Sequence, residues 1–439
     1  MNVFISFLGV SLNFILSLVS FTLLQNSIFA SQEEVTSKFN TEGGPKVNNH
    51  SLRVEEIAAG INQPTNIVFL GLNDILVTEK NTGLVKRILN GTVLQEPVLD
   101  VNVANSLERG MLGMAAAANE QSDANNVNIF VYFTEARADG VDKCYPDESP
   151  PPRCVDKDEP FGNRLYRYEL VNNKLVNPML LLDLPAIPNR HNGGPVLVGP
   201  DQNVYVMIGD INHRTKSQNN QDGAEPDGTG GVLRVTQDGQ PVGEGILGDE
   251  HPLNFYYAYG IRNSFGMDFD PLTGNLWNTE NSAGSGDEEI NLVLPGFNSG
   301  WRKVMGFSSE KEFDPEELED FDGNGEYMDP QFVWGESVGP TALKFLNSDK
   351  LGMQYQNDMF VGDINNGFIY HFELDEDRTG LALSEALADK SADTISELQD
   401  VIFGNGFGGI TDIEVGPDGY LYIVSIGLGK IFRLVHDNL

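Results

Sequence analysis

Six stretches of this 439-residue chain repeat one pattern, and that repetition limits the possible folds more than any single motif. An apolar start leads into turn residues of the Pro-Asp-Gly type, then an alternating strand, a short polar gap and a second strand of the form Gly-x-Ile-x-Arg. The clearest copy is VGPDGYLYIVSIGLGKIFRLV at 415–435, and earlier ones lie at 68–88 and 197–235. Further copies are FDPLTGNLWNTENS…EEINLV, NDMFVGDINNGFIYHFEL and, more divergent, IFVYFTEA…NRLYRYEL. Period-two alternation rich in Val, Ile, Leu, Tyr and Phe, closed by Gly, Asn or Asp, marks half-buried strands. Copies spaced by several tens of residues predict radial repetition, an all-β, six-bladed β-propeller. A β-sandwich pair fits less well, and a β-solenoid would need shorter and more uniform repeats. Only EALADKSADTISELQDVI (385–402) has the look of a helix.

The chain divides into a leader (1–30), a polar linker (31–52) rich in Gly, Pro and Asn, and the propeller body (53–437). The leader is apolar from Val3 to Leu24 and reaches small residues at Ser27, Ala30 and Ser31. That pattern predicts a secretory signal peptide cleaved after Ala30, or an uncleaved N-terminal anchor, the one expected membrane contact. Either form places the body outside the cytoplasm, secreted or tethered to the outer face of the membrane. In such a compartment Cys144 and Cys154, which bracket YPDESPPPR, are expected to pair as a structural disulfide. Asn49 and Asn90 begin glycosylation triplets. The 64 acidic residues outnumber 28 basic ones, a net charge of −36. A field of that sign repels nucleic acid and anionic lipid and excludes both as partners.

Chemistry is expected at the strand ends beside the turns. Among six His, His191 stands in the polar loop NRHNGG, ahead of a strand that leads to Asp210. A His there can act as general base, with Asp210 fixing its tautomer. Glu108 and Arg109 occupy a Gly-bounded turn, and Arg262-Asn263 lies between two aromatic-rich strands. The run DFDGNGEYMDPQ offers Asp320, Asp322 and Asn324 at the alternating oxygen positions of a calcium loop, with Gln331 where the closing carboxylate would stand. There is no His-Glu-x-x-His and no Gly-x-Ser-x-Gly or Gly-x-Gly-x-x-Gly ahead of a helix, so serine-hydrolase, zincin and Rossmann readings lack support.

Four segments together resemble the soluble, PQQ-dependent glucose/sorbosone (aldose sugar) dehydrogenase family: INQPTNIVFL…DILVTEKNTGLVKRI, ERGMLG, HNGG…GPDQNVYVMIGD and YGIRNSFGMDFDP…GNLW…E…DEEIN. The likeness runs from about Val54 to Leu434 and implies a six-bladed propeller that oxidises a small aldose at C1 and passes electrons to an external acceptor. It implies that His191 takes the proton of the anomeric hydroxyl and that Asp210 orients it. Arg262 would polarise the quinone oxygen of PQQ, with Asn263 and Glu108 beside the cofactor. A Ca²⁺ held in part by backbone carbonyls near Ser282 and Ala283 would act as Lewis acid.

The resemblance also exposes departures. The family meets the three carboxylates of PQQ with a Lys on the fifth blade and two Arg opening the last. Here Asn365 stands at the expected Lys, and Gly409 and Thr411 at the Arg positions. Each lost charge-assisted hydrogen bond costs ~1.5–3 kcal/mol, so PQQ in the same pose would bind orders of magnitude more weakly. The other expectation is therefore a drifted propeller that binds a carbohydrate or protein partner without PQQ, as in Hedgehog-interacting relatives.

Overall fold

A computed structural model describes residues 44–118, 127–137, 160–284 and 286–437. Cys144 and Cys154, the leader and most of the linker lie outside the described residues. The described chain folds as an all-β propeller built from six sheets. We number these sheets by the inner strand of each: Pro64–Gly71, Met111–Ala118, Val196–Val198, Gly266–Phe269, Pro340–Phe345 and Ile410–Val415. In each sheet the inner strand pairs antiparallel with the next strand in sequence, and that strand with a third. All six sequence repeats fall on such meanders. The inner strands surround one axial cavity, whose lining includes Thr65, Leu112, Val196, Gly266, Thr341 and Thr411, one from each sheet. Apolar clusters fill the spaces between and within sheets, and the largest buried side chains, Trp277 and Trp334, lie in the cluster shared by the fourth and fifth sheets.

Two devices close the ring. Leu52–Ala59 pairs with Lys430–His436, so the start of the propeller supplies the outer strand of the sheet formed by its end. Arg433 ties that seam, reaching Glu55 at 2.5 Å and Asp418 at 2.8 Å. Lys46–Val47 likewise adds an edge to the fifth sheet through Asn405 and Gly404. The second device is a threonine at the second position of three inner strands. Thr341 donates to Ile410 O (2.5 Å), Thr411 to Pro64 O (2.9 Å) and Thr65 to Met111 O (2.8 Å), linking the fifth, sixth, first and second sheets in turn.

Where the second and third sheets meet, glycine is required. A Cβ on Gly113 would lie 1.8 Å from Gly194 O. Gly113, the second Gly of ERGMLG, therefore lets the backbone at Gly194, the second Gly of HNGG, pass against it.

The segment 385–402 is not a helix. It forms short 3₁₀ turns at Glu385–Leu387 and Ile395–Asp400, with Ser391–Ala392 between them pairing parallel to Val333–Trp334. Lys390 has a φ of +65°, which breaks helical continuity, and the edge of the fourth sheet claims the next two residues. Buried Leu387, Ala392, Leu398 and Val401 serve that edge rather than one helical face.

Thr65→Val removes the hydroxyl that joins Met111 O and the Thr78 hydroxyl, both at 2.8 Å in a buried setting. We expect a loss of ~1–2 kcal/mol in stability from the unsatisfied partners, measured by guanidinium unfolding; an unchanged midpoint would remove the threonine ties from the account of ring closure.

Candidate active site

The loops ahead of the inner strands and the ends of the second strands share one face of the ring, because these two strands are antiparallel. At that face five of the six second strands end in, or run straight to, a carboxylate: Glu79, Glu135, Asp210, Glu280 and Asp363, with Ser425 in the sixth. Glu108, His191, Asp210, Arg262 and Asn263 meet there, carried by the loops and strand ends of the second, third and fourth sheets.

His191 is buried, and its left-handed backbone (φ +59°) follows from a turn pinned on both sides. Its N–H donates to Glu108 Oε2 at 2.6 Å, and its Nδ1 lies 2.5 Å from Asp210 Oδ1. Asp210 is fully buried yet saturated with donors. Oδ1 also accepts the Asn212 N–H (2.9 Å), while Oδ2 accepts Trp301 Nε1 (2.7 Å) and Arg302 Nη2 (2.9 Å). Burial pushes its carboxyl up, but the contacts with His191, Asn212 and Trp301 outweigh it and hold the group below the usual range. An ionised Asp210 accepts a hydrogen bond from Nδ1–H, which fixes that tautomer and leaves the Nε2 lone pair of His191 available as a base.

Arg262 donates its backbone N–H to Glu280 Oε1 (2.6 Å) and Nη1 to Asn281 O (2.9 Å). Burial depresses its pKa, against the opposing charges of Asp210, Glu108, Glu280 and Glu288. Its guanidinium and that of Arg302 stand 5.4 and 5.2 Å from the centroid of the Trp301 ring, an arrangement in which both cations gain from the aromatic face. Asn263 Nδ2 donates to Glu108 Oε2 at 3.2 Å, so one carboxylate oxygen ties the His191 loop to the Arg262-Asn263 loop. The buried atoms Arg262 Nε and Asn263 Oδ1 have no hydrogen-bond partner among the described residues.

Across the ring the predicted cofactor residues are already engaged. Asn365 Nδ2 donates to Ser337 O at 3.3 Å and its N–H to Val338 O at 3.2 Å. The Thr411 hydroxyl is the tie to Pro64 O, and Gly409 O accepts the Ile426 N–H at 3.0 Å. Ser282 is half-buried and Ala283 exposed in the loop after Asn281. Asp320, Asp322 and Asn324 lie in an exposed turn where Asn324 Nδ2 bonds Phe321 O at 2.9 Å. Among the described residues no group of three or more His, Cys, Asp or Glu is arranged to hold a metal ion.

Sequence reasoning passed over Trp301, Arg302, Glu280 and Glu288. The signal for the first two was SGWRK, a cation directly after a Trp in the turn that follows Phe297–Asn298. Glu288 accepts from Val338 N (2.7 Å), Gly339 N (2.8 Å) and the Ser337 hydroxyl (2.8 Å), shaping the loop before the fifth inner strand.

A propeller whose mouth joins a buried His–Asp pair to an arginine defines the class. The Glucose / Sorbosone dehydrogenase family profile matches residues 61–433, and the chain belongs to that family. It is 29% identical over 279 residues to quinoprotein glucose dehydrogenase B of Acinetobacter calcoaceticus, covering 58% of this chain and 53% of that protein. It is 27% identical over 238 residues to aldose sugar dehydrogenase YliI of Escherichia coli, covering 54% and 57%. The matched regions thus span little more than half the length of these two relatives. In fold it is similar to the PQQ-bound aldose sugar dehydrogenase of Streptomyces coelicolor, with a TM-score of 0.62, 20% identity and coverage of 88% and 99%.

Burial raises Glu280 to about 7, against the Ser299 hydroxyl and the Arg262 N–H. Its cross-strand neighbour Glu289 is raised well above the usual range by burial and by Glu280's charge. The sign follows: with a folded pKa of about 7 above an unfolded 4.5, Glu280 contributes stability below 4.5 that is lost as pH rises through about 7. In Glu280→Gln the fall in unfolding free energy over that range should flatten, measured by urea titration at several pH values. A slope equal to that of the parent would show that Glu280 titrates as an exposed carboxylate.

Proposed function

We propose that the chain is an exported sugar dehydrogenase that oxidises an aldose at C1, with PQQ as hydride acceptor, on a six-bladed propeller with one blade per sheet. The observation that carries this reading is the His191–Asp210 pair, with Nε2 left as base, beside Arg262 and Asn263. His191 Nε2 takes the proton of the anomeric hydroxyl, and Asp210 stabilises the imidazolium that results. PQQ, when bound, supplies the carbonyl centre that accepts hydride from C1. Arg262 places fixed positive charge where negative charge develops on that acceptor, and the unpartnered Arg262 Nε and Asn263 Oδ1 suit a planar polar group at this side of the mouth. Backbone carbonyls of Ser282 and Ala283 are the proposed holders of a Ca²⁺ beside Arg262. The sugar is the substrate and an external acceptor removes the electrons.

The donor set fits PQQ on the Arg262 side alone. On the fifth and sixth sheets Asn365 and Thr411 offer neutral groups that are already hydrogen-bonded. That observation favours a second reading, a propeller that binds a carbohydrate or protein partner without PQQ.

Reconstitution separates the two. Purified protein is titrated with PQQ and Ca²⁺ while cofactor binding and dye reduction with an aldose panel are followed together. Saturable binding with turnover is expected, and His191→Ala should cut kcat by at least about 100-fold while leaving most PQQ affinity. No binding at micromolar PQQ would favour the second reading; turnover that survives His191→Ala would move the base elsewhere.

A further inference from the structure

Lys80 is the residue directly after the second strand of the first sheet, and it is 1% exposed. Its ammonium has three N–H donors, and three acceptors receive it: Leu107 O at 2.7 Å, Arg109 O at 2.7 Å and Asn81 Oδ1 at 3.2 Å. The two carbonyls belong to the residues on either side of Glu108. One cation therefore holds the peptide unit that enters Glu108 and the one that leaves Arg109, bracketing the residue whose carboxylate reaches His191 N and Asn263 Nδ2.

The turn so fixed is one the chain would not hold alone. Leu107 adopts φ +54°, a left-handed conformation costing about 1 kcal/mol or more for a side chain of its kind. Gly110 has φ +144°, and a Cβ there would lie 2.5 Å from Lys80 O. The Met111 N–H donates to the same Lys80 carbonyl at 2.9 Å. Lys80 thus grips the turn by backbone at one end and by side chain across its middle. Burial pushes the ammonium down to about 7 and the Glu108 charge opposes that fall. Solvation therefore does not explain a lysine here, whereas the carbonyls and the carboxylate do.

We propose that Lys80 is a positioning residue of the mouth: it holds the 107–109 turn so that Glu108 can pin the backbone of His191 and the side chain of Asn263. Its effect on turnover rests on the dehydrogenase reading; its effect on the His191 backbone does not. The test therefore reads the His191 N–H directly, by NMR-detected hydrogen exchange in protein without cofactor. Lys80→Met should speed exchange of that amide roughly tenfold or more, Glu108→Ala should do the same, and the double variant should add little. Amides of the sixth sheet, such as Ile423, should keep their protection in all three. Lys80→Gln, a shorter side chain with two N–H donors and no charge, stands in if the apolar variant does not fold, with the same direction expected. Unchanged His191 protection in the Lys80 variant would overturn the proposal, whether or not Glu108→Ala lowers it, and so would additive effects in the double variant. If PQQ-dependent turnover is found, Lys80→Met should lower kcat with little change in KM. If none is found, the exchange experiment decides alone.

Discussion

Loops at the mouth of a propeller leave backbone N–H groups without strand partners, and this chain answers them with buried carboxylates. Glu79 accepts from Asn62 N, Glu108 from His191 N, Asp210 from Asn212 N, Glu280 from Arg262 N, Glu288 from Val338 N and Gly339 N, and Asp363 from Asn366 N and Gly367 N. A buried N–H left alone costs about 1–3 kcal/mol, so each of these bonds decides the path of its loop. The same solution concentrates negative charge in a poorly solvated place. Asp363 is raised to about 7 by burial even with Tyr370 and two backbone amides on it. Cations at this mouth are therefore a structural need before they are a chemical one. Arg262, Arg302 and Lys80 stand among carboxylates that would otherwise repel one another.

Asp210 belongs to this set by position and differs from it in what it touches. Its counterparts in the first, fourth and fifth sheets cap backbone, and Glu135 in the second meets Arg164 and Tyr166. Asp210 keeps one backbone bond and turns its other lone pairs to an imidazole, an indole and a guanidinium. A loop-capping carboxylate repeated around the ring is, in one sheet, the partner of a histidine.

Much of this was legible in the sequence. Period-two runs broken by Gly, Asn and Asp locate the three-strand meanders, because strand alternation and turn chemistry are local properties. His191, Asp210, Arg262 and Asn263 were visible because they stand in HNGG…GPDQNVYVMIGD and YGIRNSFGMDFDP, the segments that resemble one family. What escaped detection depends on distance in sequence. Trp301 and Arg302 act on Asp210 from 91 and 92 residues away, and nothing in SGWRK states which carboxylate they meet. Lys80 carries no signal of its own, since its acceptors are chiefly carbonyls and backbone carries no sequence signature. The segment 385–402 misled because its spacing of Leu and Ala imitates a helix, while the edge of the fourth sheet offered Ser391–Ala392 a strand partner. The inner strand Pro340–Phe345 went unremarked because Pro340 and Thr341 dilute its apolar pattern.

Thr411 shows how fold and site compete for one position. The resemblance sets a cofactor-binding arginine there, yet its hydroxyl joins the sixth sheet to the first as Thr341 joins the fifth to the sixth and Thr65 the first to the second. A long cation at 411 could reach an anionic ligand only by giving up that short side-chain bond, since a guanidinium offers donors at the end of a four-atom arm and none at the γ position. The chain takes the tie. With Asn365 spent on Ser337 O in the neighbouring sheet, the cations of the mouth are Arg262, Arg302 and Lys80, all grouped about Glu108 and Asp210. Coulomb attraction between close charges is several-fold stronger at a partly buried site than in water. A charged ligand here would therefore be held chiefly from the His191 side, where the candidate base also stands.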